Sequence, residues 1–399
     1  MSHATRPPDS PQDFSLIPGG PLYELLRRAR LSGDTPTLIR QRALIVVGVA
    51  WLPLLVLSML EGHALRGTIA VPFLLDIEAH VRFLAALPLL IVAEPIVHRR
   101  MRPVARRFIE RGLIHPAAQS RFEAAIASVV RYRDSVVAEV LLITFVYAVG
   151  VMTVWRHFIA LSTTATWYAV PTTGGITLSL TGIWYAYVSL PIFQFLLARW
   201  YYRIFVWTRF LWQVSRLKLS LVPTHPDRVG GLGFLAVTAY AFTPLAAVHG
   251  AMLAGPLANR ILYLGARLPD FTEEIVVLVV LVVCALFGPL LVFAPQLVAA
   301  KRAGLGEYGT LAERYVREFD TKWLRDGAGP GERLLGSADI QSLADLANSY
   351  EIVRTMRFWP ITKEGVLRLA AATAAPLAPL AFTMMSLEEL LKKLFRLLF

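Results

Sequence analysis

Long apolar runs are the feature of this sequence that most restricts its fold. Several stretches, poor in charged side chains, approach the length of about twenty residues that a helix needs to cross a bilayer. Because lipid offers the backbone no hydrogen-bond partners, such runs cross a membrane as α-helices. The sequence therefore predicts an all-α polytopic integral membrane protein. Its seven predicted transmembrane helices lie near residues 43–60, 81–98, 136–158, 176–198, 233–254, 275–299 and 366–385.

The composition supports the membrane class. Hydrophobic residues make up 56% of the 399 residues, and the mean hydropathy is +0.54. A soluble protein cannot bury so large an apolar share. The one cysteine, Cys284, lies in an apolar run, which excludes a disulfide framework and a cysteine-based metal site. The bias toward arginine, alanine and leucine is typical of a GC-rich bacterial source, so we expect the chain in a bacterial inner (plasma) membrane.

The distribution of charge predicts the orientation of the chain. The formal net charge is +12, and most of the arginine and lysine lies in residues 1–42, 99–135, 199–228 and 301–363. By the positive-inside rule, these segments and the N-terminus are cytoplasmic. The positive charge then serves topology and contact with anionic membrane lipids. No nucleic-acid partner is predicted.

The spans and the charged segments together predict four regions. Residues 1–42 form a cytoplasmic N-terminal tail, and residues 43–300 form a membrane domain of six helices. Residues 301–363 form a cytoplasmic helical hairpin. Residues 364–399 combine a seventh span or a re-entrant segment with a tail. Both alternatives stay open for this last apolar run because two prolines interrupt it.

Shorter elements can also be predicted. Leucines at helical spacing beside arginines indicate a short amphipathic helix at Pro21–Leu31. Ser337 is a suitable N-cap for the second helix of the cytoplasmic hairpin. Near the C-terminus, Ser386 and Glu389 form a capping box. The tail Leu387–Phe399 is therefore predicted to be an amphipathic interfacial helix.

Polar and glycine residues concentrate in the stretch Pro223–Phe234, P-T-H-P-D-R-V-G-G-L-G-F. A turn leading into a helix presents free N–H groups to an anion, glycine lets the backbone approach a ligand, and arginine can pair with it. The stretch therefore predicts a cytoplasmic anion-binding loop. The alternative is a capped helix start, since turn chemistry explains the same residue types. The candidate ligand-binding residues are His225, Asp227, Arg228, Gly230, Gly231 and Gly233.

Two cytoplasmic stretches carry a resemblance to known proteins. They are H-P-D-R-V-G-G-L-G-F at 225–234 and L-G-S-A-D-I-Q-S-L at 335–343. Together they resemble uncharacterised bacterial multi-pass inner-membrane proteins. The resemblance implies a membrane location and brings no activity with it.

Two glutamates lie inside predicted spans, where ionisable groups are costly and often functional. Glu94 and Glu139 are both near the cytoplasmic ends of their helices. Each is a candidate proton or ion site. The alternative is an ion pair with a nearby arginine, for which Arg99, Arg133 and Arg199 are the candidates.

Asp76 and His80 are the candidate metal ligands. They are four residues apart, so both project from one face if a helix has begun there. Imidazole with carboxylate suits zinc or another divalent ion. No compact His-x-x-x-His spacing occurs in the sequence, and the alternative is solvated residues at the membrane interface. No cofactor is predicted.

The function predicted first is a small transporter or channel-like protein whose cytoplasmic mouth includes the anion-facing loop 225–233. Glu94 and Glu139 favour it, and so do the prolines that interrupt most spans and can free carbonyls for ions or substrates. The second is a membrane scaffold or sensor that binds a cytoplasmic protein through 301–363. The third is a membrane enzyme acting on a lipid or a phosphorylated substrate. His-Glu-x-x-His, Gly-x-Ser-x-Gly and Walker signatures are absent from the sequence, which disfavours an enzyme. Association of identical copies stays open.

Overall fold

The structure of the protein is a computed structural model that describes most of the chain between residues 14 and 384. The predicted tail helix at 387–399 lies outside the described residues. Those residues are 14–17, 19–28, 35–65, 69, 71–160, 165–172, 175–325, 327, 329, 332–334 and 336–384.

Helices form the structure, with one small β-hairpin between two of them. This confirms the predicted all-α class. The α-helices are α1 (Pro21–Arg28), α2 (Pro36–Leu60), α3 (Ile77–His80), α4 (Leu87–Met101), α5 (Val104–Glu110), α6 (Gln119–Arg133), α7 (Val136–Ala160), α8 (Leu180–Trp184), α9 (Leu190–Ser215), α10 (Phe234–Ala239), α11 (Thr243–Leu264), α12 (Thr272–Phe287), α13 (Ala294–Asp320), α14 (Ala338–Arg354), α15 (Lys363–Ala374) and α16 (Ala378–Ala381). The strands are β1 (Ala169–Thr172) and β2 (Gly175–Leu178), paired antiparallel.

Six continuous helices in the described part of the chain are long and apolar enough to cross a membrane. The chain is therefore a membrane protein by the length and composition of its helices. The predicted span at 136–158 falls in α7. Its apolar part Val136–Gly150 is shorter than the six helices described above. A total of seven spans accordingly stays a prediction. The six helices are Pro36–Leu60, Ile77–Glu110, Leu180–Ser215, Phe234–Leu264, Leu268–Arg325 and Lys363–Met384.

Two helices differ from the predicted span boundaries. The run predicted to begin at residue 176 starts as strand β2, and its helix begins only at Leu180, because Ser179 accepts a hydrogen bond from the N–H of Gly182 and caps it. At the other boundary, α13 passes residue 300 without a break. The first helix of the predicted cytoplasmic hairpin is thus a direct extension of a membrane helix.

Prolines divide the membrane helices into segments of different winding. Pro88 and Pro191 each follow a π-helical turn, at Val81–Ala86 and Tyr185–Ser189. A proline has no N–H to donate, so one backbone hydrogen bond of the helix is lost. A single π-helical turn next to the proline adapts the helix to this missing bond. The two π turns face each other, because Arg82 Nη1 donates to the Tyr185 hydroxyl over 2.5 Å.

The continuous helix Phe234–Leu264, which contains α10 and α11, is the most buried of the six, with 67% of its most apolar stretch buried. Small residues allow this close packing. A Cβ on Gly250 would lie 1.8 Å from the carbonyl oxygen of Thr373 on α15. A Cβ on Gly255 would lie 2.9 Å from the Cα of Glu78 on α3. Helices α3 and α15 therefore pack against α11 backbone to backbone.

The hairpin of α13 and α14 is antiparallel. The Tyr315 hydroxyl donates to the carbonyl of Asp339 over 3.1 Å near the distal end, and Lys301 Nζ donates to the carbonyl of Met356 over 2.9 Å near the membrane domain. Ser337 accepts a hydrogen bond from the N–H of Asp339, which confirms the predicted N-cap. Most of α14 is exposed, and Val353 is its buried residue.

Glu61 joins the end of α2 to the start of α8. Its carboxylate accepts hydrogen bonds from the N–H groups of Leu180 and Thr181, over 2.6 and 3.1 Å, and from the Thr181 hydroxyl. Burial would raise the pKa of this carboxyl, but the three hydrogen bonds outweigh it and lower the pKa below its ordinary value of 4.5. The anion therefore caps α8 from a distant part of the chain.

Candidate functional site

Five charged side chains from four helices meet in the interior. We call Arg42, Glu94, Glu139, Arg199 and Arg203 the arginine–glutamate cluster. Their side chains are between 6% and 11% exposed. Buried charges are costly unless they are paired. The contacts within the cluster therefore decide whether these residues are tolerated.

Glu94 is the centre of the cluster. One carboxylate oxygen accepts a short charged hydrogen bond from Arg42 on α2. The other accepts from Arg203 Nη2 on α9 over 2.8 Å, and Arg199 Nη1 lies 3.8 Å from that same oxygen. One carboxylate thus ties α2 and α9 to α4.

Glu139 completes the cluster from α7. Its carboxylate lies 3.5 Å from Arg199 Nη2, and it accepts a hydrogen bond from the N–H of Leu22 over 2.9 Å. Of the arginines considered from the sequence, Arg199 is the one that the structure brings to both glutamates. Both carboxylates are therefore deep ion pairs and not residues solvated at a helix end.

Arg42 and Arg203 are members of the cluster that the sequence reasoning missed. One signal was available for Arg203, because it follows Arg199 by four residues and so projects from the same helix face. Arg203 also lies over the Trp200 ring, 4.8 Å from its centroid. Trp200 in turn donates from Nε1 to the carbonyl of Leu90 over 3.0 Å, which fixes α9 against α4.

The cluster holds one positive charge more than its carboxylates neutralise. Three guanidinium groups face two carboxylates, and arginine stays protonated at any physiological pH. In a low-dielectric interior an uncompensated cation attracts an anion strongly. The arrangement is therefore suited to binding an anionic group.

An N-terminal segment (residues 14–17 and 19–24) covers one side of the cluster. Gly19 accepts a hydrogen bond at its carbonyl from Arg199 over 3.3 Å. The Ser15 hydroxyl lies 2.7 Å from His98 Nδ1, and the Ser15 carbonyl accepts from Arg133 over 3.1 Å. Phe14 is fully buried, with its ring centroid 4.8 Å from that of Phe210. The segment is thus bound by both polar and apolar contacts.

A cavity of about 260 Å³ lies on another side of the cluster, between α2, α4 and α9. Its polar end is formed by Arg42, Glu94 and Arg199. Leu22 of the N-terminal segment borders it as well. The remaining wall is aliphatic and aromatic. It consists of Ile45, Val46, Val49, Leu90, Ile91, Ile192, Phe195 and Leu196.

The predicted anion-binding loop has a tightly bonded backbone. The carboxylate of Asp227 accepts hydrogen bonds from the N–H groups of Val229, Gly231 and Gly233, over 2.9, 3.1 and 2.8 Å. Two of the glycine N–H groups considered for a ligand are therefore donated to Asp227. His225 Nδ1 lies 2.9 Å from the same carboxylate.

The loop is also fixed to the chain that follows α14. Arg357 donates from Nη2 to the carbonyl of Asp227 over 3.0 Å and from its N–H to the carbonyl of Arg228 over 2.7 Å. Arg228 and Gly230 have left-handed backbones, with φ of 57° and 63°, so the turn needs the freedom of glycine at Gly230. Ligand binding by this loop stays a prediction.

The candidate metal ligands Asp76 and His80 have protein partners. Asp76 caps α3 by accepting from the N–H of Ala79, and it also accepts from Trp167 Nε1 over 2.8 Å. His80 Nδ1 accepts from Trp51 Nε1 over 3.0 Å. Among the described residues, no group of three or more His, Cys, Asp or Glu side chains is arranged to hold a metal ion.

Comparison with protein-family models, with curated proteins and with solved structures finds no match for this chain.

Proposed function

We propose that the protein is a small membrane transporter that binds an anionic substrate at the arginine–glutamate cluster. The proposal includes seven spans, a cytoplasmic N-terminus and a bacterial inner membrane, in agreement with the distribution of arginine and lysine. In that orientation all five cluster residues lie at the cytoplasmic ends of their spans. The substrate is a small carboxylate or phosphate ester.

The observation that carries this proposal is the excess of buried guanidinium over carboxylate. Ionisable groups inside membrane helices usually line a substrate or ion pathway. Arg42 and Arg199 border the cavity and the cluster at once, so an entering anion would meet two guanidinium groups. The N-terminal segment lies across the cluster, which is where a transporter needs a barrier that can open.

A binding assay in lipid nanodiscs tests the proposal. The thermal stability of the protein is measured with carboxylates, phosphate esters and matched organic cations. Anions should stabilise the wild type, and this effect should disappear in Arg199→Gln. The matched control is Arg314→Gln, since Arg314 is exposed on the hairpin and pairs with Glu318 at the surface. Equal stabilisation of Arg199→Gln by anions would contradict the role of the cluster.

Counterflow in proteoliposomes tests transport itself. Vesicles preloaded with the anion that stabilises best should accumulate the same radiolabelled anion from outside, and protein-free vesicles should not. If the anion binds but counterflow does not occur, the protein is an anion receptor and the proposal of a transporter is wrong.

A second candidate function is a scaffold that binds a cytoplasmic protein through the 301–363 hairpin. The observation in its favour is the set of exposed apolar side chains on the hairpin, where Leu311, Val316 and Ile340 are 51%, 50% and 41% exposed. Exposed apolar patches mark interaction surfaces. A photo-crosslinking amino acid at Val316 in living cells tests this function. A crosslink to another protein supports the scaffold, a crosslink between two copies supports a homo-oligomer, and no crosslink contradicts both.

A further inference from the structure

We infer that the ligand of the cluster is a single-chain anionic amphiphile, whose charged head pairs with Arg42 and Arg199 and whose apolar tail fills the cavity between α2, α4 and α9. This inference rests on the proposed function, because it names the substrate class for the same site. The chemistry required is one carboxylate or phosphate head on one unbranched hydrocarbon chain.

The polarity of the cavity changes along its length. Charged groups occur at one end only, where Arg42, Glu94 and Arg199 are located. The remaining lining residues, such as Leu90 and Phe195, have no polar side-chain atom. A small hydrophilic anion would leave this apolar volume unfilled, whereas an amphiphile matches both ends. Charge and shape therefore favour the same class of ligand.

The size of the cavity limits the tail to one chain. Its volume of about 260 Å³ lies just below the range of roughly 300–1,000 Å³ that is usual for small-molecule pockets. A phospholipid with two acyl chains exceeds it. A medium-chain fatty acid or a single-chain alkyl phosphate matches this volume.

The cavity opens toward the surrounding bilayer. Ile45 and Val49 on α2 form part of its wall and are 50% and 44% exposed on the outer surface of the helices. That surface is apolar, as other exposed residues of α2 such as Leu52 and Val56 show. A tail already dissolved in the bilayer can therefore enter sideways, without passing through water.

The N-terminal segment favours the same route. Its Leu22 donates an N–H to Glu139 and borders the cavity, and its Gly19 binds Arg199. The segment thus occupies the aqueous side of the cluster that the proposed orientation makes cytoplasmic. Among the described residues, the opening at Ile45 and Val49 leads to Arg42 from another side.

The test is a competition assay on the full-length protein in nanodiscs of zwitterionic lipid. Radiolabelled dodecanoate is the probe, empty nanodiscs give the background, and the competitors are acetate, dodecyl phosphate and dodecyltrimethylammonium. Dodecanoate should bind saturably. Dodecyl phosphate should compete with it, whereas acetate should need at least a tenfold higher concentration, because acetate has no chain to fill the apolar part of the cavity.

Two tryptophan substitutions separate the cavity from the general lipid surface. Val49→Trp narrows the opening and should weaken dodecanoate binding at least tenfold. Val277→Trp is the matched control, because Val277 is 56% exposed on α12 and is not part of the cavity wall; its binding should equal that of the wild type. Equal binding by Val49→Trp would overturn the inference.

The outcomes separate this inference from the proposed function. If acetate competes as well as dodecyl phosphate, the cluster binds anions, but the inference that its ligand is an amphiphile is wrong. If dodecyltrimethylammonium competes as well as dodecyl phosphate, the cavity does not select charge, and both proposals fail. If labelled dodecanoate never exceeds the background of empty nanodiscs, the amphiphile is again wrong, and the anion panel in the stability assay decides the proposed function.

Discussion

Replacing Glu94 by glutamine tests whether the arginine–glutamate cluster stabilises the fold. The glutamine keeps the size of the side chain and removes its charge. Two direct charged hydrogen bonds are weakened, from Arg42 and from Arg203. Three buried guanidinium groups would then face Glu139 alone, whose nearest cluster contact is 3.5 Å from Arg199.

The size of the effect follows from these contacts. A hydrogen bond to a charged group contributes about 1.5–3 kcal/mol. Removing one partner of a buried ion pair costs about 3–5 kcal/mol, since the other charge stays buried. We therefore expect Glu94→Gln to lower the free energy of unfolding by about 3–5 kcal/mol. For a chain of this size, that loss corresponds to a fall in Tm of roughly 4–6 °C.

Tryptophan fluorescence during heating measures the Tm of both proteins in the same nanodiscs. The matched control is Glu318→Gln, because the side chain of Glu318 is 64% exposed and its pair with Arg314 is on the surface; its Tm should change by less than about 1 °C. Adding Arg203→Met to Glu94→Gln removes one uncompensated charge and should restore part of the loss. A Tm of Glu94→Gln equal to that of the control would refute the buried cluster.

Three further predictions test other parts of the structure. Gly250→Ala should destabilise the protein by about 1–3 kcal/mol, because its Cβ would meet the Thr373 carbonyl. Gly48→Ala in α2 should not, because a Cβ there meets no described atom within 4 Å apart from its own helix; equal Tm values for the two variants would contradict the packing. Because the folded pKa of Glu61 is lowered, its contribution is present above the unfolded pKa and is lost as pH falls through the folded pKa. Glu61→Gln should therefore be less stable than the wild type at pH 7 by about 1 kcal/mol, and the difference should shrink as the pH falls through the folded pKa, which lies below 4.5; a difference that does not change with pH would refute the cap. In a Cys284→Ala background, a cysteine at residue 164 should react with a membrane-impermeant maleimide in intact cells, whereas a cysteine at residue 329 should not. Labelling at 329 but not at 164 would contradict the predicted cytoplasmic location of residues 301–363.

The sequence alone was sufficient for the class of the fold, because each apolar run carries the length and the composition of its own helix. Local signals were also sufficient for α1 and for the Ser337 cap. Where the sequence failed locally, two local preferences competed. Residues 175–178 are apolar enough to continue a helix, but they pair with β1 as a strand and leave the helix to begin at Leu180.

The contacts of the candidate site could not be predicted, because they depend on long-range packing. Glu94 meets Arg42 and Arg203 across 52 and 109 residues of sequence, and no local spacing encodes such a meeting. The loop at 225–234 shows a different limit. Its residue types suit a bound anion or an internal carboxylate equally, and the sequence does not reveal that three N–H groups of the loop donate to Asp227.

Photo-crosslinking tests most directly the central claim, that the lateral cavity beside the cluster binds an anionic amphiphile. A fatty acid with a diazirine in its chain is irradiated with the full-length protein in nanodiscs, and the modified residues are mapped by mass spectrometry. We predict labelling concentrated on Ile45, Val49 and Phe195, and its loss with excess dodecanoate. Labelling of equal yield on the exposed face of α12 at 276–281, unaffected by dodecanoate, would contradict the claim.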